Sequence, residues 1–242
     1  MNKERILFFF FRMITWLAIA IIAGVFVLLL KSGSSVISWK FLTSFWQHQD
    51  ITKGGILQAI IGSIILGVGV TIISFPLGLS AAIYLTEYNR SIFWRRMVQL
   101  TVRNLSGVPS VIFGLFGVAV FVHFFSLGSS LLSAVLTLSV MTIPWIFTAS
   151  YEALTTVPIA LRESSVALGA TPWQTIRNVV VPIALPGCIT GAIIGIARAM
   201  GETAPIIFVG ATFYLSSLPN SPLDKFMALP YHTFILSTQH AS

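Results

Sequence analysis

Charge is scarce in this chain. Of its 242 residues 14 are basic and 7 acidic, 9% in all, where an ordinary soluble domain carries about a quarter. So few charges cannot cover a water-facing surface of this size, which excludes a soluble globular fold. Cysteine is scarcer still: Cys188 stands alone, and that excludes an intrachain disulfide framework or a multi-cysteine metal site. The four histidines, His48, His123, His232 and His240, are scattered without metal-ligand spacing, so neither a metal nor another cofactor is expected. Strict apolar/polar alternation is also lacking, which disfavours a membrane β-barrel.

What is abundant is apolar length. Hydrophobic residues make up 56% of the chain and the mean hydropathy is +0.92. The apolar residues gather into five runs, at about 10–30, 57–85, 105–125, 130–150 and 179–212, and roughly 20 helical residues suffice to cross a bilayer core. The expectation is an all-α integral membrane protein, a polytopic helical bundle in one transmembrane domain over residues 1–242. The amino terminus begins with Lys3, Arg5 and Arg12 before an apolar stretch, as a signal peptide does, but no small-residue cleavage site follows. It reads as an uncleaved first span. Pro76 falls inside the second run and Pro182, Pro186 and Pro205 inside the fifth, each removing a backbone donor, so kinks are expected there.

A net charge of +7 and a pI near 10.0 would suggest nucleic acid in a soluble protein. Here the basic residues flank the spans, so they signal topology, and no nucleic-acid partner is expected. With a cytoplasmic amino terminus, Lys3, Arg5, Arg12, Arg90, Arg95, Arg96, Arg103, Arg162 and Arg177 fall inside, while Lys31, Lys40, Lys53 and Lys225 fall outside. The bias supports that orientation. Trp39, Phe41, Phe45 and Trp46 in the first outside segment suit an interfacial aromatic belt.

The least apolar interior stretch, residues 151–178, is the place to meet a cytoplasmic partner. Pro158 suits a helix start, Gly169 a C-terminal cap, and Thr171 before Pro172 a second start, giving a helical elbow. Such an elbow either docks in a groove of another protein or lies on the membrane surface. The order Glu163-Ser164-Ser165, three residues, Gly169, nine residues, Val179-Val180-Val181-Pro182 resembles the EAA signature of ABC importer permeases, with serine for both alanines. The resemblance implies that Glu163, Ser164, Ser165, Gly169 and Pro182 couple the chain to an ATPase subunit.

The fifth run holds two charges, Arg198 and Glu202, within GAIIGIARAMGETAPIIFVG. Ionisable groups inside a span are functional candidates by default. At about 100° per residue both fall on the stripe of Gly187, Gly191 and Gly195, so the pair is expected to face the bundle interior. Two readings stand: an i,i+4 pair that locks helices, or an arginine fork for a tetrahedral oxyanion with Glu202 holding it. Arg198-Ala199-Met200-Gly201-Glu202-Thr203-Ala204-Pro205 and Gly107-Val108-Pro109-Ser110-Val111-Ile112-Phe113-Gly114 resemble the phosphate-specific permease family, the PstA type within the MetI-like ABC permeases.

That resemblance implies a phosphate-importing permease of the bacterial inner membrane, with Arg198, Glu202 and Thr203 on the substrate pathway. It implies as partners a PstB-type ATPase, a PstC-type second permease and a PstS-type external binding protein. ATP hydrolysis would reside in the separate ATPase, so the chain itself is not expected to be an enzyme. The family's arginine after the fourth span is replaced by Thr148. The family also has six spans, so residues 216–242 are expected to form an external segment before an apparently missing last span. Competing readings are a permease for sulfate or molybdate, a non-transporting phosphate-sensing scaffold, and an intramembrane enzyme using Glu202 or His123. The last has no convergent second catalytic group in the sequence.

Overall fold

The computed structural model describes residues 2–46, 54–215 and 217–239, the side chains of Asn2, Lys3 and Gln239 excepted. The expectations placed on His48, Lys53, Ser216 and His240, and on the side chain of Lys3, lie outside the described residues. The chain divides into two units, Met1–Leu57 and Gln58–Ser242.

The first unit holds α1 (Asn2–Gly33) and α2 (Trp39–Thr43). Residues Glu4–Gly33 of α1 are uninterrupted and apolar enough to cross a membrane. Ser38 caps α2 by accepting from the Phe41 N–H at 3.2 Å. The expected belt of four aromatics does not form as one exposed ring, because Trp39 is exposed and Trp46 is buried.

The second unit is built around one helix. α3 (Leu57–Ile83) continues into a π-helical turn over Tyr84–Tyr88, α4 (Ile92–Ser106) follows, and α5 (Ser110–Gly117) runs on as a π-helical segment to Phe124. Next come α6 (Leu131–Thr155), the short α7 (Ile159–Ala167), and α8 (Pro172–Thr175), which passes through a π-helical turn into α9 (Val181–Gly201). The segment ends with α10 (Ala204–Val209) and α11 (Leu229–Gln239). Helix α6 is the hub: it packs on α4, α5, α9 and α10, and two-thirds of its apolar window is buried. Its buried hydroxyls return their bonds to the preceding turn, Thr137 to the Ser133 carbonyl, Ser139 to Val135 and Thr142 to Leu138, each at 2.7 Å. These three hydroxyls therefore sit inside the bundle with their donors satisfied.

Among the described residues four helices are long and apolar enough to span a membrane, five if the pair Ile92–Ser106 and Ser110–Phe124 counts as one. The fold is thus the expected all-helical, polytopic one, with three corrections. The third run is not a straight span over 105–125: the chain bends by 96° between α4 and α5. The turn-forming Gly107 and the helix-excluding position before Pro109 lie at that bend. The fifth run does not continue to 212, because the helix Pro172–Gly201 stops and α10 restarts at Ala204. Pro205 lies in the first turn of α10, where its missing donor costs nothing. Pro76 and Pro186, by contrast, are carried inside unbroken helices.

The boundaries of the 151–178 loop also shift, since α6 extends to Thr155 and the next long helix already begins at Pro172. Between residues 217 and 228 the chain folds back onto the start of α6, where the Leu131 and Leu132 N–H groups donate to the Asp224 and Pro222 carbonyls at 2.8 Å. Phe226, Met227 and Ala228 are fully buried there.

Candidate functional site

The residues singled out from the sequence fall into two groups, one at each end of the continuous helix Pro172–Gly201. That helix has 30 residues and is roughly 45 Å long at about 1.5 Å per residue.

At its start lies the elbow. Pro158 is the N-cap of α7, one position before the expected first turn. The helix ends in a Schellman closure: the Gly169 N–H donates to Val166 O at 2.9 Å and the Ala170 N–H to Ser165 O at 3.2 Å. Gly169 has φ +86°, a left-handed conformation that an L side chain adopts at a cost of roughly 1–2 kcal/mol. Two residues on, Thr171 and Gln174 form a capping box, with Thr171 Oγ1 accepting from the Gln174 N–H at 3.3 Å and Gln174 Oε1 accepting from the Thr171 N–H at 2.8 Å. Ser165 and Thr175 share a hydroxyl hydrogen bond at 2.9 Å across the elbow. Ser164 donates back to Ala160 O at 2.7 Å. Glu163 and Pro182 are exposed, and so are Ile159, Leu161, Val166, Leu168 and Trp173. The elbow thus carries an apolar surface that nothing in this chain covers among the described residues.

Arg162, noted in the sequence only for its charge, holds the elbow to the bundle. Its Nε donates to Glu87 Oε2 at 3.3 Å and its Nη2 to Glu87 Oε1 at 3.0 Å. Nη2 also reaches Leu154 O at 2.9 Å, and Nη1 donates to Val157 O. One guanidinium therefore closes the carboxyl end of α6, pairs with the end of α3 and anchors α7. Glu87 lies 75 positions away, and no local pattern announces the pair.

At the other end, Arg198 and Glu202 meet at 3.5 Å through Nε and Oε1. The arginine side chain is 42% exposed and the glutamate 17%. Both were expected on one helix face, but Glu202 is the C-cap of α9 with an extended backbone, ψ 129°, and Thr203 is the N-cap of α10. The glycine stripe itself packs on α6. A Cβ at Gly191 would lie 2.1 Å from the Ala149 Cβ, and one at Gly187 2.8 Å from the Ala153 Cβ, so only glycine permits this approach. One turn further along, the guanidinium carbon of Arg198 lies 4.6 Å from the ring centroid of Trp145 on α6. Trp145 was missed from the sequence, because one tryptophan inside an apolar run carries no distinguishing signal.

The arrangement is a half-open guanidinium held on two sides. Glu202 engages Nε, the indole supports the plane, and among the described residues neither Nη nitrogen bonds a protein acceptor. Those two nitrogens carry four N–H donors in the fork that suits an oxyanion. Thr148, at the position where the resembled family commonly has arginine, donates to Pro144 O at 2.8 Å. It lines a cavity of about 90 Å³ with Arg103 and Glu152, so it adds no charge to this site.

Comparison with known proteins follows the same lines. The profile described as "Binding-protein-dependent transport system inner membrane component" matches residues 74–236. A protein of Bacillus subtilis (strain 168) described as "Probable ABC transporter permease protein YqgH" is 40% identical over 194 residues, covering 76% of this chain and 62% of that protein. "Phosphate transport system permease protein PstA 2" of Mycobacterium bovis is 34% identical over 203 residues, covering 82% of this chain and 65% of that protein. The chain thus spans less than two-thirds of the length of these curated relatives. Among solved structures, an inward-facing MetNI methionine ABC transporter is similar over 60% of this chain and 68% of that one, at 27% identity and a TM-score of 0.48.

Proposed function

We propose that this chain, which belongs to the family of binding-protein-dependent transport system inner membrane components, is a phosphate-translocating permease subunit of an ATP-driven importer. The observation that carries this reading is the Arg198 guanidinium, propped by Glu202 and Trp145 with its Nη fork open. It sits inside the segment Arg198–Pro205 that resembles the phosphate permease motif, and a relative named as a phosphate permease is 34% identical.

In this reading Arg198 is the phosphate contact. A planar fork matches a tetrahedral oxyanion by two parallel bonds. Glu202 offsets part of the positive charge, so the anion binds without being trapped, and Thr203 lines the pathway where the helix breaks. Glu163, Ser164, Ser165 and Gly169 belong to the elbow that meets the cytoplasmic ATPase, Pro182 follows in the first turn of α9 as the last of the coupling residues, and the amino terminus is cytoplasmic. The rod from Pro172 to Gly201 is unbroken, so a displacement of the elbow moves the base of Arg198 with it. A second permease of the PstC type, a PstB-type ATPase and a PstS-type binding protein would complete the assembly, and ATP hydrolysis belongs to the separate subunit.

The test is uptake of labelled phosphate, normalised to membrane-inserted chain, in cells that supply the partners. Arg198→Lys keeps the charge and removes the fork, so uptake should fall at least tenfold with normal insertion. The double change Arg198→Gln with Glu202→Gln removes both charges, and insertion should be normal with uptake still absent. Full uptake by the double variant would make the pair purely structural and overturn the substrate contact. Competition of the parent's uptake by sulfate or molybdate, as effective as by unlabelled phosphate, would overturn the choice of anion.

A further inference from the structure

Helix α4 has a feature that the proposed role does not call on. It is amphipathic in three sectors. At about 100° per residue, Arg95, Val98 and Val102 share one sector and are partly buried, with Val98 and Val102 packed on the core that holds Leu85 and Phe147. Roughly a third of a turn away, Phe93, Trp94, Met97 and Leu100 are 45–66% exposed. The remaining sector presents Arg96 and Arg103, both exposed, and Arg90 precedes the helix, also exposed. From Asn89 to Ser106 the chain carries four arginines and no acidic residue.

The placement gives these sectors meaning. α4 lies at 96° to the helical segment Ser110–Phe124, so where that segment runs along the membrane normal α4 lies in the membrane plane. It also lies at the elbow's end of the bundle: Arg95 lines one cavity with Glu87, Ile159 and Arg162, and its Nη2 donates to Asn89 O at 3.2 Å. Beside it a groove of about 430 Å³ opens between Tyr84 and Leu85 on one side and Trp94 and Val98 on the other. Tyr84 and Trp94 are both exposed, and such rings settle at the headgroup level of a bilayer. An exposed apolar sector beside an exposed cationic one, on a helix lying in the membrane plane, fits acyl chains beneath anionic headgroups.

We infer that α4 is an interfacial helix that binds anionic phospholipid of the leaflet on the elbow's side, through Arg90, Arg96 and Arg103 above an apolar face of Phe93, Trp94, Met97 and Leu100. The inference needs only that the segment Ser110–Phe124 runs along the membrane normal, and it is independent of what the chain transports.

The experiment uses the full chain, reconstituted in bilayers, with Met97→Cys in a Cys188→Ala background carrying a fluorophore at residue 97. Quenching by brominated phosphatidylcholine reports contact with lipid, and competition between brominated and plain phosphatidylglycerol reports local preference for the anionic headgroup. The label should be quenched, with phosphatidylglycerol preferred severalfold over phosphatidylcholine, since an arginine near an anionic surface is worth about fivefold. Arg96→Gln with Arg103→Gln should bring that preference close to one, Arg96→Lys with Arg103→Lys should keep it, and helix content by circular dichroism should match the parent. If the glutamine variant fails to fold, the parent at rising ionic strength gives the same reading, because screening should erase the preference. No quenching by either brominated lipid would mean that the apolar sector faces water or another protein, and overturns the inference. A preference near one, or one that neither salt nor the glutamine variant moves, overturns the headgroup contact.

Discussion

Two arginine–glutamate pairs sit at the two ends of the second unit, and they are built differently. Arg162 spends its donors: two bonds to Glu87 and further bonds to the Leu154 and Val157 carbonyls, with side chains only 21% and 11% exposed. Arg198 makes one long contact at 3.5 Å, with the arginine 42% exposed. A guanidinium with four of its five donors taken by its own chain fixes geometry and has no free fork to offer a ligand. One held at its edge and its face, with its fork free, is oriented but unsatisfied. Charge type is alike for both; saturation separates the structural pair from the candidate site.

The comparison is broken most severely at Glu87. Glu87→Gln keeps the size but removes the counter-charge, leaving a partly buried guanidinium that closes the end of α6. Removing one partner of a fully buried pair costs about 3–5 kcal/mol, and the residual exposure lowers this to about 2 kcal/mol. The thermal midpoint of the purified chain should fall by several degrees, and elbow cysteines such as Gln174→Cys should become more mobile by spin label. An unchanged midpoint would reduce the Arg162 pair to a surface contact.

A smaller effect is expected at Gly169. Its φ of +86° makes Gly169→Ala cost about 1–2 kcal/mol, concentrated in the turn joining α7 to α8 and away from the spans. Global stability should move less than for Glu87→Gln. Capture of the ATPase subunit should nonetheless weaken severalfold, because the apolar side chains of Leu168 and Trp173 on either side of the turn are re-aimed. Equal capture would separate the turn from docking.

How much of this was legible beforehand depends on range. The elbow was readable because its determinants are local: Gly169 after a short amphipathic helix, and Thr171 before Pro172, specify a C-cap and an N-cap within four positions, and the structure adds the capping box that Gln174 closes. The spans were readable from apolar length alone. The breaks were legible in part, since Gly107 and Pro109 mark the bend before α5 and Pro205 marks the restart at α10, but in a uniformly apolar run the hydropathy outweighed these signals. The Glu87–Arg162 pair and the stacking of Arg198 on Trp145 were not legible. Each joins residues 53 to 75 positions apart, and neither leaves a periodic trace in one sequence.

The smallest expected change in stability tests the open pair most finely. Trp145 touches the guanidinium plane of Arg198 at 4.6 Å from the ring centroid, and Trp145 is itself 38% exposed. At such exposure a cation–π contact contributes about 0.5–1 kcal/mol. Trp145→Leu therefore should barely shift the thermal midpoint, since leucine still fills an apolar span and Glu202 still holds Nε. If the indole orients the fork toward an anion, the same free energy reappears in binding, and the KM for phosphate uptake should rise about two- to fivefold with the maximal rate preserved. Trp145→Phe keeps a ring face with a weaker quadrupole and should fall between the two. If the pair only locks α9 to α6, the pattern inverts: the leucine variant loses stability while the KM of the surviving chain stays at the parent value. A KM that follows Trp, Phe and Leu in that order at constant stability is the result that a locking role does not produce.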